Sequence, residues 1–441
     1  MRSFAAKIVR SPASMVLVAF VVRILGSVLT GSYRFTGLWD LFEMANLGRA
    51  LALGHGFSSP YAVNTGPSAL APPIYPWIAS LAFRAFGVFT AASGFAMVVF
   101  NSVFSALTCW TIYRIARRLF NENIAVWSGW VWAFLPYAIY YSIAWIWETS
   151  LSAFLLSLLF LLTLQMEGDA RLWSWFRYGV LWGVAALTNT ALVAWLPFSG
   201  IWLAYKLHRG GKRFLVPVVF SAVIFWITLS PWLVRNYVVF GKIVFVRDNF
   251  GNELRSGNNP LAEGWKVSSY DAFRNPSLAP LTRSIGEPAV SEAQGKQAKA
   301  WIEANPGRFA VLCVWRFYYY WAGLPRTWTG LPLPPSKQIK NLFYLASSLL
   351  GIAGLFLVLK KRMPGRFLLA TLILFYPLTY YISVPEPRYR HAIEPELLIL
   401  AVFLLWSLAA RLRRQEPGSV PSRQAEEIYA HEGASGRAAK A

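Results

Sequence analysis

The chain has 441 residues, of which 56% are hydrophobic and only 14% charged, and it carries 21 tryptophans. That apolar surface exceeds what one soluble core buries, which excludes a soluble globular or disordered protein and leaves an integral membrane protein. A net charge of +22 would suggest nucleic acid in a soluble chain. In a membrane protein, Lys and Arg instead collect in cytoplasmic loops, so no nucleic-acid partner is expected.

A crossing helix needs about 20 apolar residues, and that length picks out about ten segments. They lie near 12–30, 92–113, 124–143, 149–166, 177–190, 191–208, 214–231, 338–359, 366–384 and 392–410. The basic clusters, among them Arg114, Arg117 and Arg118, then Lys360, Lys361 and Arg362, all fall on one side if the N-terminus is cytoplasmic, as the positive-inside rule requires. The expected fold class is an all-α polytopic membrane protein with both termini cytoplasmic. The runs Pro72–Gly87 and Arg308–Gly323 then read as interfacial helices, their Tyr and Trp at headgroup level and their Arg residues snorkelling. The chain divides into a transmembrane catalytic module over 1–231 with a first outer loop at 31–91, an extracytoplasmic loop over 232–337, C-terminal transmembrane helices over 338–411, and a disordered cytoplasmic tail over 412–441.

The polar residues gather in the outer loops. In WDLFEMANLGRALALGHGFSSPY, Trp39–Tyr61, the spacing of Asp40, Glu43, Asn46 and Arg49 predicts an amphipathic helix over 40–53 that turns both carboxylates the same way. Gly54 and Gly56, on either side of His55, stop it. The acids either face a cavity between the spanning helices or complement the helix N-terminus. Glu148 sits where two spanning segments meet; an ionised group so near hydrocarbon is costly and therefore a functional candidate, the other reading being a helix cap aided by Thr149 and Ser150. Between the last two spans, VPEPRYRHAIEPELL carries Arg388, Arg390 and His391 with Glu386 and Glu394. Arginine matches a phosphate oxygen pair, although these arginines also suit structural ion pairs or lipid headgroups. The loop Pro231–Pro260 adds Arg235, Lys242, Arg247 and Arg255 amid turn-forming Gly and Asn and is placed to cover a cavity.

Together these pieces resemble the GT-C superfamily of polytopic glycosyltransferases, in particular the bacterial members grouped with protein mannosyltransferases and lipid A aminoarabinose transferases. The resemblance rests on the first-loop acid followed by A-x-x-L and GHGFS, PPIYPW before the second span, RNYVVFG with NELRSGNNP after the seventh, and PRYRHAIEP before the last. It implies an inverting glycosyltransferase in the bacterial cytoplasmic membrane, with a polyprenyl-phosphate sugar as donor, a lipid, glycan or protein as acceptor, and an active site on the extracytoplasmic side. It further implies catalytic roles for Glu43, Asp40 and Glu148, a donor phosphate held by Arg388, Arg390, His391 and Arg255, and a cavity or acceptor role for His55, Tyr75 and Asn258. Glu43 is favoured as base because the helix running into GRALALGHGFS aligns from it. The chain departs from several relatives in spacing its first-loop acids three apart and in having Ala71 where Lys or His often precedes the Pro-Pro.

No cofactor is required by this chemistry. Oxygen ligands of this kind suit Mg or Mn, but they are too sparse to demand a metal. A lipid-linked-sugar transporter or flippase is the alternative, for which repeat symmetry and mid-membrane ionisable residues are expected; Arg23 is the chief residue of that kind. A polyprenyl-diphosphate-dependent O-antigen ligase or polymerase is the nearer rival.

Overall fold

The computed structural model describes residues 8–61, 64–271, 277, 279–326 and 331–415, without the side chains of residues 40, 336, 337 and 413–415. Most of the tail expected over 412–441 therefore lies outside the described residues. Among those described, regular structure is helical, with only the isolated bridges Ser58–Pro67 and Arg326–Pro332 besides. Six helices are long and apolar enough to cross a membrane, and Thr149–Gln165 and Arg366–Ile382 are shorter apolar helices. The molecule is a multi-pass integral membrane protein.

In chain order the helices are α1 (Pro12–Thr30), α2 (Glu43–Ala52), α3 (Ile74–Phe86), α4 (Ala91–Leu119), α5 (Glu122–Phe134), α6 (Pro136–Ile143), α7 (Thr149–Gln165), α8 (Leu172–Thr188), α9 (Leu196–Arg209) and α10 (Leu215–Phe240). They continue with α11 (Phe250–Gly257), α12 (Ala279–Ile285), α13 (Glu287–Ala304), α14 (Pro306–Ala322), α15 (Pro335–Lys360), α16 (Arg366–Phe375), α17 (Leu378–Ile382), α18 (Pro387–Arg390) and α19 (Glu394–Gln415).

Each apolar run expected to cross is helical, and the differences have local causes. The run expected at 124–143 is split into α5 and α6 at Leu135, because Pro136 has no N–H to continue the ladder and sits instead at the start of the next helix. The run at 191–208 opens with a 3-10 turn, Thr190–Trp195, before α9. The seventh run does not stop at 231: α10 carries Pro231 inside it and ends only at Gly241, which takes a left-handed φ of 67°. The helix expected over 40–53 begins at Glu43; Trp39–Leu41 is a 3-10 turn and Phe42 is extended (φ −99°, ψ 101°), so Asp40 does not share a helical face with Glu43.

Lipid tails are as apolar as leucine, so helices associate here through close packing and internal polar bonds. Pairs α8/α10 and α15/α19 pack side by side. A Cβ added at Gly354 would lie 2.2 Å from the Leu400 carbonyl oxygen, so α15 and α19 approach as closely as they do only because that residue is glycine. Arg23, fully buried in α1, is held entirely by neutral partners. Its Nε donates to Ser105 Oγ at 2.9 Å and its Nη atoms donate to the carbonyls of Ala19, Ala133 and Trp132. Trp132 and Ala133 end α5, where the break at Pro136 leaves carbonyls without their helical donors. This buried charge is a staple between helices.

Candidate active site

Glu43 is the first residue of α2, where the helix N-terminus favours a carboxylate, and it is 8% exposed. Beyond Gly54 and Gly56 (φ 81° and 71°) the chain turns back, and Tyr61 Oη donates to Glu43 Oε1 at 2.9 Å. The residue before it, Phe42, lines a cavity of about 430 Å3 whose walls include Tyr140, Tyr141, Trp145, Trp147, Glu386 and Arg388. The side chain of Asp40 lies outside the described residues.

Glu148 belongs to the non-helical turn between α6 and α7. Its main chain serves α7, accepting from Ser152 N, but its side chain makes no cap bond, so the capping role considered for it is not taken up. The carboxylate is 5% exposed and its Oε2 has no hydrogen-bond partner among the described residues. Burial pushes this carboxyl up to about 7; Arg388 and Arg247 pull the other way, and the nearby charge of Glu43 adds to the rise. Glu148 faces a recess of only about 10 Å3 shared with Asn189, Arg388 and Tyr389, room for no more than a water.

Arg388 is within electrostatic reach of both acids. It lies on the short helix α18, started by Pro387, and its guanidinium stacks 3.9 Å above the Trp147 ring centroid, with Trp145 and Tyr389 also beside it. Trp147 and Arg388 line both the cavity and the Glu148 recess, so this stacked pair is the partition between them. Phe42 packs on Trp145 with centroids 5.9 Å apart, tying the Glu43 helix to the same aromatic wall.

The other expected site residues are placed differently. Tyr75 is buried and donates to Asn101 Oδ1 at 3.1 Å, while Asn101 Nδ2 donates to the Trp145 carbonyl at 2.9 Å; the PPIYPW segment thus positions the turn that carries Trp147 and Glu148. Arg390 is fully buried and every one of its nitrogens is engaged, Nε and Nη2 by Glu394 and Nη1 by Trp321 O, Tyr344 O and Ser348 Oγ. A phosphate reader has to present donors to a ligand, so Arg390 takes the ion-pair role instead. Glu394 also accepts from Tyr137 Oη. His391 is likewise buried away from the cavity, stacked on Trp132 (5.3 Å, 26°).

Asn258 donates to Leu254 O and Ile382 O and accepts from Arg316 Nη2, so it joins α11 to α14 and the end of α17, and it does not line the cavity. Arg255 stacks on Tyr270 at 4.7 Å and reaches Asn258 O at 3.4 Å, without lining the cavity. His55 is exposed in a separate open groove with Arg49, Ser58, Asn64 and Arg235. Sequence reasoning missed the cavity residues Lys266, Arg326 and Lys340, which stand in stretches with no motif, and missed Tyr61 as partner of Glu43. Among the described residues no three His, Cys, Asp or Glu side chains form a metal-holding group.

Residues 71–234 match the family described as dolichyl-phosphate-mannose-protein mannosyltransferase. That segment is less than half of the chain. It contains Tyr75, Asn101, Trp147 and Glu148, and the match agrees with the membrane-glycosyltransferase resemblance of the sequence. No curated protein matches the chain. Solved structures similar to it include the Archaeoglobus fulgidus oligosaccharyltransferase AglB in complex with an inhibitory peptide and a dolichol-phosphate (TM-score 0.47, 13% identity, 92% of this chain and 52% of that one). Another is ArnT from Cupriavidus metallidurans bound to undecaprenyl phosphate (TM-score 0.37, 13% identity, 91% of this chain and 81% of that one). The chain spans about half the length of the archaeal oligosaccharyltransferase structures it matches.

Proposed function

We propose that this protein is an inverting glycosyltransferase that moves a sugar from a polyprenyl-phosphate donor to an acceptor at the outer face of the cytoplasmic membrane. The observation that carries the reading is Arg388 stacked on Trp147 within electrostatic reach of Glu43 and Glu148, at the wall of a cavity lined by aromatic, aliphatic and charged side chains. The family of residues 71–234, named for transfer from dolichyl-phosphate-mannose, supports the same chemistry. The fold that goes with it is a GT-C-type bundle of about ten crossings, with α3 and α14 interfacial, both termini cytoplasmic and the long loops outside.

In this mechanism an acceptor hydroxyl or amine attacks the anomeric carbon as the bond from that carbon to the phosphate oxygen breaks, inverting the configuration. The acceptor proton passes to Glu43, the residue after the cavity-lining Phe42, while the recess of about 10 Å3 keeps Glu148 from touching an acceptor. The departing lipid phosphate needs no proton at neutral pH, so a single base suffices where a glycosidase needs an acid as well. Arg388 meets the second negative charge that grows on that phosphate, a contribution of about 2–4 kcal/mol by comparison with other charge-stabilising groups. Glu148 acts from behind, holding the guanidinium electrostatically while Trp147 fixes its plane.

The test is sugar transfer by membranes containing the protein, supplied with radiolabelled polyprenyl-phosphate sugars, for wild type, Glu43→Gln and Arg388→Ala at matched protein levels. Label leaving the lipid pool in wild type alone supports the reading. Equal label in wild type and empty membranes with every donor overturns it.

A further inference from the structure

The open groove around His55 has no part in the proposed transfer, and its chemistry has one sign. It measures about 770 Å3 and is lined by the basic side chains Arg49, His55 and Arg235, with no Asp or Glu among the described residues of its wall. Arg49 stands in the last turn of α2, where a cation is favoured. Its guanidinium rests 5.5 Å from the Phe89 ring centroid, and no hydrogen bond or ion pair among the described residues engages it. Asn64 is held by its oxygen: Oδ1 accepts from Ser59 Oγ at 3.1 Å and from Gly66 N at 3.0 Å, which leaves Nδ2 as a donor. Arg235 is committed to the neutral acceptors Ser68 O, Phe57 O and Asn236 Oδ1, and Glu287 offsets part of its charge. The unpaired guanidinium of the groove is therefore that of Arg49, and a planar fork of N–H donors without a carboxylate matches phosphate oxygens.

The depth of the groove in the membrane selects among phosphates. Val239, near the end of α10, is part of its wall, and α10 is one of the helices long and apolar enough to cross. At about 1.5 Å per residue, positions 215–234 already cover the roughly 30 Å of hydrocarbon. Arg235 is the one charged residue of α10 and comes directly after them. Arg235 and Val239 thus stand at headgroup level, with the apolar side chains of Val234 and Val238 exposed beside them. The phosphate diesters of the bilayer lie at that same level. We propose that this groove binds the headgroup phosphate of an anionic phospholipid, with Arg49 paired to its oxygens and His55 and Asn64 donating to them. The assignment does not depend on the transfer reading.

The experiment is amide exchange on the full chain in phosphatidylcholine nanodiscs with and without phosphatidylglycerol. It is read at His55 and Ser59, whose N–H groups close the loop onto Ala50 O and Gly66 O. Phosphatidylglycerol should slow exchange there about tenfold in wild type. Arg49→Gln should lose that slowing while Arg49→Lys keeps most of it, so a loss of charge is distinguished from misfolding. Arg118→Gln, which removes a cation from a different groove, should keep it in full. Equal exchange with and without phosphatidylglycerol, or slowing that survives Arg49→Gln, overturns the proposal. Loss in Arg118→Gln as well marks an effect of overall charge and overturns it too. A third arm adds the soluble headgroup glycerophosphoglycerol to phosphatidylcholine nanodiscs at the same concentration. Equal slowing there means that a free phosphate compound suffices and the lipid assignment fails, whereas no slowing supports it.

Discussion

In the proposed transfer, the buried Glu148 would set the pH response of the site. Burial raises its carboxyl to about 7, so as pH falls through that value it takes up a proton and the negative charge behind Arg388 is lost. Transfer should therefore decline on the acid side of about pH 7. Glu148→Gln imitates the protonated state and should show a lower, flatter profile; a variant with the wild-type acid limb would remove Glu148 from that role. Arg388→Ala should lower turnover by roughly 30- to 1000-fold, the equivalent of about 2–4 kcal/mol. Arg388→Lys should recover only part of this, since an ammonium keeps the charge but not the planar stack on Trp147. The candidacy of Glu148 and Arg388 is legible in the sequence, because a charge at the mouth of an apolar run is costly to keep without a use. The fate of Arg390 is not: it shares a turn and a chemistry with Arg388, and only the packing of α15 and α19 decides which of the two meets the cavity and which meets Glu394.

At the scale of elements, the apolar helices could be read because length and hydropathy are local properties, and their breaks could not, because those depend on which partner accepts the freed backbone groups. Pro136 is visible in the sequence, but Arg23, which receives the carbonyls at the end of α5, lies more than a hundred residues away. Arg23→Met should leave the Ala133 carbonyl without a donor in a medium that has no water to offer, while Trp132 O keeps the Leu135 N–H, at a cost of about 1–3 kcal/mol for the unsatisfied group. The expected outcome is a lower unfolding midpoint in detergent with transfer retained at low temperature; loss of transfer without loss of stability would give Arg23 a part in the reaction. The Arg390–Glu394 pair makes the companion case. Removing one partner leaves an uncompensated buried charge, worth about 3–5 kcal/mol, so Arg390→Met should destabilise more than Arg390→Met/Glu394→Gln, as read by the same unfolding measurement.

Across the whole molecule, the loop between α2 and α3 is fastened to the segment that follows α10 by a buried carboxylate that no sequence pattern announces. Glu287, first residue of α13, accepts from Ser68 Oγ at 2.8 Å and Ala69 N at 2.9 Å. Arg235 donates to Ser68 O and Phe57 O on the same segment. Tyr61, the partner of Glu43, packs with Leu70 and Val290 in the cluster this fastening encloses, so the latch supports the proposed base at a distance. Burial raises the Glu287 carboxyl to about 7, against the pull of Ser68, Ala69 and Arg235. An acid with a raised pKa binds its proton more tightly folded than unfolded. Its contribution to stability is therefore fully present below its ordinary value of 4.5 and is lost as pH rises through about 7, a change of roughly 3 kcal/mol across that window. Asp248, whose N–H donates to Ala69 O, is also raised by burial and adds in the same direction. Wild-type protein should thus unfold at a lower temperature at pH 8 than at pH 5, and Glu287→Gln, which keeps an oxygen for Ser68 and Ala69 but has no proton to lose, should remove most of that difference. Amide exchange at Ala69 locates the effect, since its protection should weaken with rising pH in wild type and stay constant in the variant. If both proteins lose stability equally between the two pH values, the dependence arises elsewhere and the latch does not titrate in this range.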